Sequence, residues 1–361
     1  MWHCRLLKEN AEFEQVGDLE SIVWSLEPRD ALPASMLHAS VHNGGFLAGA
    51  YDADQLIGFS FGFPVRRGSR WLLWSHVAGV HPDYQSRGVG FDLKQFQRRW
   101  ALENQYTSIA WTFDPLQSRN AYFNLHRLGA EASIYHIDFY GEMTDGLNAG
   151  LPSDRLEVVW PLNTTRSETL AQGISSPVAN PQTEMPRLLY QISAEALCLD
   201  GTALDSAGMC LAEIPADIAA VKRSGFDLAL QWRLQLRQAL QMAFERGYKV
   251  ADVLLRDGRT FYVLVPQQPW FLYVVECADG TLYTGITPDV SQRIAKHNAG
   301  KGAAYTAARR PVRLVAAWCV PHRKAAMQAE VAFKRQSRAE KQAHIAQKLS
   351  FRSMPFIDSE Q

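Results

Sequence analysis

The sequence predicts an α/β (α+β) protein of more than one unit: a mixed sheet with flanking helices in the N-terminal region, and a small β-β-α-β-α module at the C-terminus. Three observations predict this. The 361 residues exceed what one hydrophobic core usually organises. Runs rich in Val, Ile, Phe, Tyr and Trp, joined by Asp-Gly and similar turns, alternate with stretches of helical periodicity. Charge is unevenly divided. The 37 Lys and Arg cancel the 37 Asp and Glu over the whole chain, yet residues 267–361 hold 14 basic against 7 acidic residues, a formal +7, and residues 1–266 hold 23 against 30, a formal −7.

Composition excludes several classes. At 47% hydrophobic and 20% charged the chain is ordinary globular protein. No apolar run approaches the roughly 20 residues that span a bilayer, so no membrane partner is expected. The first ten residues lack the apolar core and cleavage site of a secretory signal. Five scattered cysteines, odd in number and without a C-x-x-C, argue against disulfides and a zinc cluster. The cytoplasm is the expected compartment.

From the N-terminus, residues 45–51 and 55–64 read as a hairpin around Asp52-Ala53-Asp54, and a strand follows over 71–80. The loop 81–90 opens a helix over 91–103. A strand over 107–113 and a helix over 118–128, ending at Gly129, complete this run. Residues 163–187, rich in Ser, Thr, Gln, Asn and Pro, read as a long polar linker. A strong helical region over 217–248 puts Leu228, Trp232, Leu236, Leu240 and Phe244 on one core-facing stripe. Residues 250–256 and 260–265 form a hairpin about Asp257-Gly258. Residues 1–150 are expected to form one domain and 151–266 an extension of that half, with a short boundary at 266–269 before a domain over 267–361.

In the C-terminal part, strands over 270–277 and 282–287 flank a tight turn at Asp279-Gly280 and place Tyr273 and Tyr283 on neighbours. A helix over 289–298 carries Arg293 and His297 four apart, on one face. A strand over 312–318 leads to a helix from about 322 to 348 with Glu330 and Lys334, again four apart. These groups suit phosphodiester cleavage, which needs an activated water, charge neutralisation on the phosphate and help for the leaving oxygen. A single carboxylate, Glu330, can hold a Mg²⁺ that keeps most of its waters. Arg293 offers a planar fork to phosphate oxygens. Tyr273, Tyr283 and His297 are each candidates to position or deprotonate the water.

Trp270-x-Leu272-Tyr273 followed by Leu282-Tyr283-x-Gly285-x-Thr287 resembles the GIY-YIG endonuclease superfamily, especially its small stand-alone branch, over residues 267–347. The resemblance implies Tyr273 and Tyr283 as the paired site tyrosines, Gly285 as a close-packing glycine, Arg293 as phosphate contact, Glu330 as metal ligand, His297 as the subfamily histidine and Lys334 as a basic position. Phe271-Leu272 stands in place of the Gly-Ile of the name motif, and no asparagine follows Glu330 where many relatives have one. Nucleic acid, DNA in the first instance, is the expected partner, and the +7 region supplies the phosphate attraction it needs.

The loop 81–90 has a second chemistry. A strand ending in a glycine-bearing loop that opens a helix presents free N–H groups and the positive helix end to an anion. Val80-x-Pro82-x-x-Gln85-x-x-Gly88-x-Gly90 resembles the pyrophosphate-binding motif of the GNAT acetyltransferases, and the resemblance runs over about 6–140. It implies acetyl-CoA as cofactor, with Val80, Gln85, Arg87, Gly88, Val89 and Gly90 around its pyrophosphate, and leaves the acyl acceptor open. The position where such enzymes often place a tyrosine that protonates the leaving thiolate is Leu125; Tyr122 and His126 lie nearby at offset helical angles. The expected function is therefore a fused Mg²⁺-dependent nuclease and N-acetyltransferase in nucleic-acid repair or processing. The alternative is a nucleic-acid-binding protein with an inert nuclease-like domain and an acetyl-CoA-sensing one.

Overall fold

A computed structural model describes residues 1–27, 31–68, 70–141, 150–205 and 208–347. The chain divides into two compact units, residues 1–241 with 250–264, and residues 242–249 with 265–361.

The first unit is built on a twelve-stranded sheet. In chain order its elements are β1 (Trp2–Leu6), α1 (Asn10–Trp24), α2 (Ala34–His42), β2 (Phe46–Asp52), β3 (Gln55–Arg67), β4 (Arg70–Val80), α3 (Val89–Glu103), β5 (Ser108–Phe113), α4 (Ser118–Ala121), β6 (Glu131–His136), β7 (Arg155–Pro161), α5 (Thr165–Ala171), β8 (Arg187–Ser193), β9 (Ala196–Leu199), β10 (Cys210–Ile214), α6 (Ile218–Ser224), α7 (Phe226–Glu245), β11 (Tyr248–Arg256) and β12 (Arg259–Pro266). The strands lie in the order β1-β2-β3-β4-β5-β7-β6-β11-β12-β10-β8-β9. β7 pairs antiparallel with β5 on one side and β6 on the other. The mixed sheet with flanking helices is the architecture the sequence predicts.

Two-sided cover explains why β2 and β3 read as nearly continuous apolar runs. On one face Phe13, Val16 and Leu19 of α1 and Leu37 of α2 pack on Leu47, Phe59 and Phe61. On the other, Val89 and Leu93 of α3 pack on Ala50 and Ile57. The β11–β12 hairpin turns on Asp257 and Gly258 at φ 51° and 72°, the paired positive angles of a type I′ turn. The parallel neighbours β4 and β5 register at Leu73 with Ile109 and Trp74 with Ala110.

The second unit contains β13 (Trp270–Glu276), β14 (Leu282–Thr287), α8 (Val290–Asn298), α9 (Ala304–Ala307), β15 (Arg313–Val320), α10 (Arg323–Arg335) and α11 (Arg338–Gln347). Its three-stranded sheet, β14-β13-β15, is antiparallel with β13 central. Alternation along β13 sends Leu272 and Val274 into one core with Trp318, Ala329 and Phe333, and Tyr273 and Val275 into another with Cys277, Val312 and Ile294. Tyr273 thereby faces α8.

Four expectations need correction. The single helix over 322–348 is two helices, α10 and α11. Gln336 is extended at ψ 149°, and Ser337 and Glu340 then form a reciprocal cap, the Ser337 N–H donating to Glu340 Oε2 (2.7 Å) and the Glu340 N–H to Ser337 Oγ (3.3 Å). Its expected end at Lys348 lies outside the described residues. The helical region 217–248 breaks at Gly225, extended at φ −177°, and its last residue already belongs to β11. Its stripe does face the core, with Arg233 buried beside it. The polar linker 163–187 contains α5, capped by Thr164 and held by Arg166, which donates to the carbonyls of Leu125, Ser176 and Ala251. The helix 118–128 tightens only at α4 and continues as a π-helical turn over Tyr122–Arg127. Among the described residues no helix is long and apolar enough to cross a membrane.

Candidate functional site

In the second unit, β13, β14, α8 and α9 bring four of the predicted residues into one cluster. Arg293 Nε, which can only donate, lies 3.1 Å from Tyr273 Oη. Tyr273 Oη lies 2.8 Å from His297 Nε2, and His297 Nδ1 lies 2.6 Å from Thr306 Oγ1. Thr306 gives its one proton to the Ala303 carbonyl at 2.9 Å. The directions then follow along the chain: Thr306 accepts from His297 Nδ1–H, which leaves Nε2 bare to accept from the Tyr273 hydroxyl. Asp289 caps α8 through Gln292 N at 2.9 Å and fixes the helix that carries both Arg293 and His297.

Tyr273 and His297 are fully buried. Burial raises the Tyr273 phenol's pKa, and the nearby Tyr283 and Glu330 add to the rise while Arg293 opposes it. Burial also lowers the His297 imidazole's pKa, with help from the Arg293 charge. Both groups are therefore held neutral. The hydrogen bond that Arg293 donates to Tyr273, joined by Tyr283, keeps Arg293 charged against its own desolvation. Tyr283, half-buried, has its ring 6.4 Å from Tyr273 and 5.4 Å from His297. Glu330 on α10 is 21% exposed and accepts from Lys334 Nζ at 2.7 Å through Oε1.

Three participants escaped the sequence reading. Thr306 anchors the histidine tautomer. Tyr305 stacks on Tyr283, centroids 6.0 Å apart, and carries the Arg309 guanidinium at 4.2 Å. Gly302 leaves room for the imidazole, since a Cβ there would lie 2.3 Å from His297 Nδ1. The two glycines of Gly300-Lys301-Gly302, just before Thr306, were the available signal. Gly285 makes the matching allowance on β14, where a Cβ would fall 2.6 Å from Tyr273 Oη.

Residues 269–343 match the GIY-YIG catalytic domain. A UPF0213 protein from Cupriavidus pinatubonensis is 48% identical over 80 residues, 22% of this chain and 89% of its own length. The chain belongs to the GIY-YIG family. A UPF0213 protein from Streptococcus agalactiae is 49% identical over 79 residues, 22% of this chain and 90% of that one. Ahead of the GIY-YIG domain, residues 9–129 match the acetyltransferase (GNAT) family. The Escherichia coli ribosomal-protein-S18-alanine N-acetyltransferase shares 13% identity over 46% of this chain and 96% of its own, with a TM-score of 0.38. A Salmonella typhimurium chain solved with its cofactor acetyl-CoA shares 12% over 45% and 95%, also at 0.38.

In the GNAT domain the loop after β4 is tied from within. Gln85 Nε2 donates to the Val80 carbonyl at 3.2 Å, Arg119 donates to Ser86 Oγ at 2.8 Å, and the Arg87 guanidinium lies 5.4 Å from the Tyr84 ring centroid. Gly88, at φ 106°, caps α3, so Val89 and Gly90 present the unpaired N–H groups of its first turn. The Val89 side chain goes to the core, while a Cβ on Gly90 would approach nothing nearer than Val80 Cγ2 at 3.7 Å. Leu125 is fully buried and its carbonyl accepts from Arg166. Tyr122 stacks on His126 at 4.7 Å, and His126 Nδ1 lies 2.9 Å from the buried Asp252 Oδ1.

Proposed function

We propose that the GIY-YIG domain is a Mg²⁺-dependent endonuclease and the GNAT domain an acetyl-CoA-dependent N-acetyltransferase, joined in one bifunctional chain that processes or repairs nucleic acid, DNA in the first instance. In this reading residues 151–266 extend the acetyltransferase half, and the nuclease occupies 267–361. The directed chain from Arg293 through Tyr273 and His297 to Thr306 is the observation that carries the nuclease reading. It leaves Tyr273 with its proton committed and its ring out of contact with water. Tyr283, partly exposed, is the phenol left to orient the attacking water, and Arg293, held through Nε by Tyr273, would use its Nη groups on a phosphate.

Among the described residues no group of three or more His, Cys, Asp and Glu forms a metal cluster. A lone carboxylate still suits Mg²⁺, which commonly keeps several waters, and Glu330 has one oxygen committed to Lys334 and a second to offer. Bound there, the ion would neutralise charge on the scissile phosphate and the leaving oxygen. The formal +7 of residues 267–361 supports phosphate attraction.

The experiment is cleavage of branched, single-stranded and duplex DNA in Mg²⁺ by the full chain and its Glu330→Gln variant. Glu330→Gln keeps the shape and removes the charge, so cleavage should fall by orders of magnitude while binding persists. Cleavage at the wild-type rate would sink the assignment. For the GNAT domain, the buried Leu125 favours a second reading in which acetyl-CoA is bound without transfer.

A further inference from the structure

Between α3 and strands β3 to β5 lies a buried polar cluster that includes none of the residues placed in either site above. Lys94 is 6% exposed, and Ser60, Ser75 and Gln97 are 0%, 4% and 0% exposed. Lys94 Nζ donates to Ser75 Oγ at 2.7 Å and to Gln97 Oε1 at 3.0 Å, and lies 4.2 Å from the Trp111 ring centroid. Each partner is neutral. Ser60 Oγ and Gln97 Nε2 are buried without a hydrogen-bond partner. A packed core rarely leaves such groups orphaned, and a polar guest would satisfy them.

The position gives the cluster its meaning. β4 and β5 are parallel and register at Leu73 with Ile109 and Trp74 with Ala110. Ser75 and Trp111 are the next residue on each strand, where that pairing stops. Lys94 touches both, so it sits at the apex of the crevice between the carboxyl ends of β4 and β5. Ligands of open sheets lie in such crevices, and this one begins at the anion loop that closes β4.

We propose that Lys94 faces the sulfur of a thioester laid in this crevice and is the acid that returns a proton to the departing thiolate. The proposal rests on the acetyl-CoA reading of the domain. It supplies the group that Leu125 cannot. The acceptor nitrogen attacks the acyl carbon, the C–N bond forms, and the C–S bond breaks with its electron pair going to sulfur. Lys94 Nζ gives that sulfur a proton, and the neutral amine then takes up the proton lost by the acceptor, so the products are an amide and a thiol. Burial pushes the Lys94 ammonium down to about 7. A free thiol titrates near ~8.5, so the transfer runs downhill.

The test needs no acyl acceptor. CoA is saturated onto the full chain and its thiol titrated by the ultraviolet absorbance of the thiolate, as the difference from the ligand-free protein. With the ammonium near 7 the two groups titrate as a pair, so about a quarter or more of the bound thiolate should appear in the lysine's own step, below the free thiol's range, and Lys94→Met should leave one unshifted step while CoA still binds. An unshifted thiol on wild-type protein overturns the proposal even if the variant fails to fold, as does an equal shift in a folded Lys94→Met. Absence of any CoA binding, seen as no thermal stabilisation, overturns it together with the acetyl-CoA reading.

Discussion

Gly285→Ala probes how tightly the nuclease cluster is built. The added Cβ would lie 2.6 Å from Tyr273 Oη, 2.8 Å from Cζ and 3.0 Å from Cε1. The ring cannot retreat cheaply, because it is fully buried and bounded by Val275, Cys277, Val312 and the His297 imidazole. Overpacking of this kind costs about 1–3 kcal/mol, and losing the Tyr273–His297 hydrogen bond adds about 1 kcal/mol. A total of about 2–4 kcal/mol should lower the melting temperature of this unit by roughly 10 °C or more, at about 4–8 °C per kcal/mol for a domain of this size. Calorimetry of the full chain reads the shift, and a cleavage assay reads the displaced tyrosine. Tyr273→Phe in the same chain should recover part of the loss, since the hydroxyl is the nearest atom. A melting temperature within about 1 °C of wild type, with cleavage intact, would refute the claim that Gly285 is there to make room for Tyr273.

Other outcomes follow from the same geometry. The His297 pKa is lowered in the fold, so the stability it contributes is complete above its unfolded value near ~6.5 and declines as pH falls through the folded one. Urea titrations at a series of pH values should show that slope, and His297→Gln should flatten it. Thr306→Val removes the acceptor for His297 Nδ1–H and should cost about 1–3 kcal/mol, with Thr306→Ser close to wild type by the same titration. In the GNAT domain Gly88 stands at φ 106°, so substitution there strains the backbone whatever binds. Gly90 is free of that strain, and Gly90→Leu should keep the fold yet lose the thermal shift by acetyl-CoA; a shift as large as wild type would mean that the loop holds no pyrophosphate.

The elements legible in the sequence were those with local signals. Asp279-Gly280 fixed one hairpin and Asp257-Gly258 another, and Asp289 announced the start of α8. The hairpin turn put Tyr273 and Tyr283 on neighbouring strands and a four-residue helical step put Arg293 and His297 on one face, but it was the resemblance to the GIY-YIG superfamily that joined the two pairs. Thr306 could not, since its role depends on a histidine nine residues away whose tautomer it fixes from another helix. The break before Ser337 was legible, as Ser337-x-x-Glu340 is a capping box, but the amphipathic stripe running through it masked the boundary. Arg166 was hidden differently: nothing in a polar, proline-bearing stretch shows that one side chain will reach three carbonyls. Lys94 lay in plain view inside a helix, and only the divergence of β4 and β5 gives it a place.

The seat of β7 between β5 and β6 has a consequence for synthesis. A nascent chain that has just passed residue 150 has made β5 and β6 without the strand that separates them, and β6 must also wait for β11, more than a hundred residues later, before its other edge closes. Such distant pairings are slow to form and leave open strand edges in the meantime. A chain ended at residue 129, where its GNAT match stops, would lack β7, the antiparallel neighbour of β5, and the first unit gains its last strand, β12, only as synthesis reaches the GIY-YIG domain.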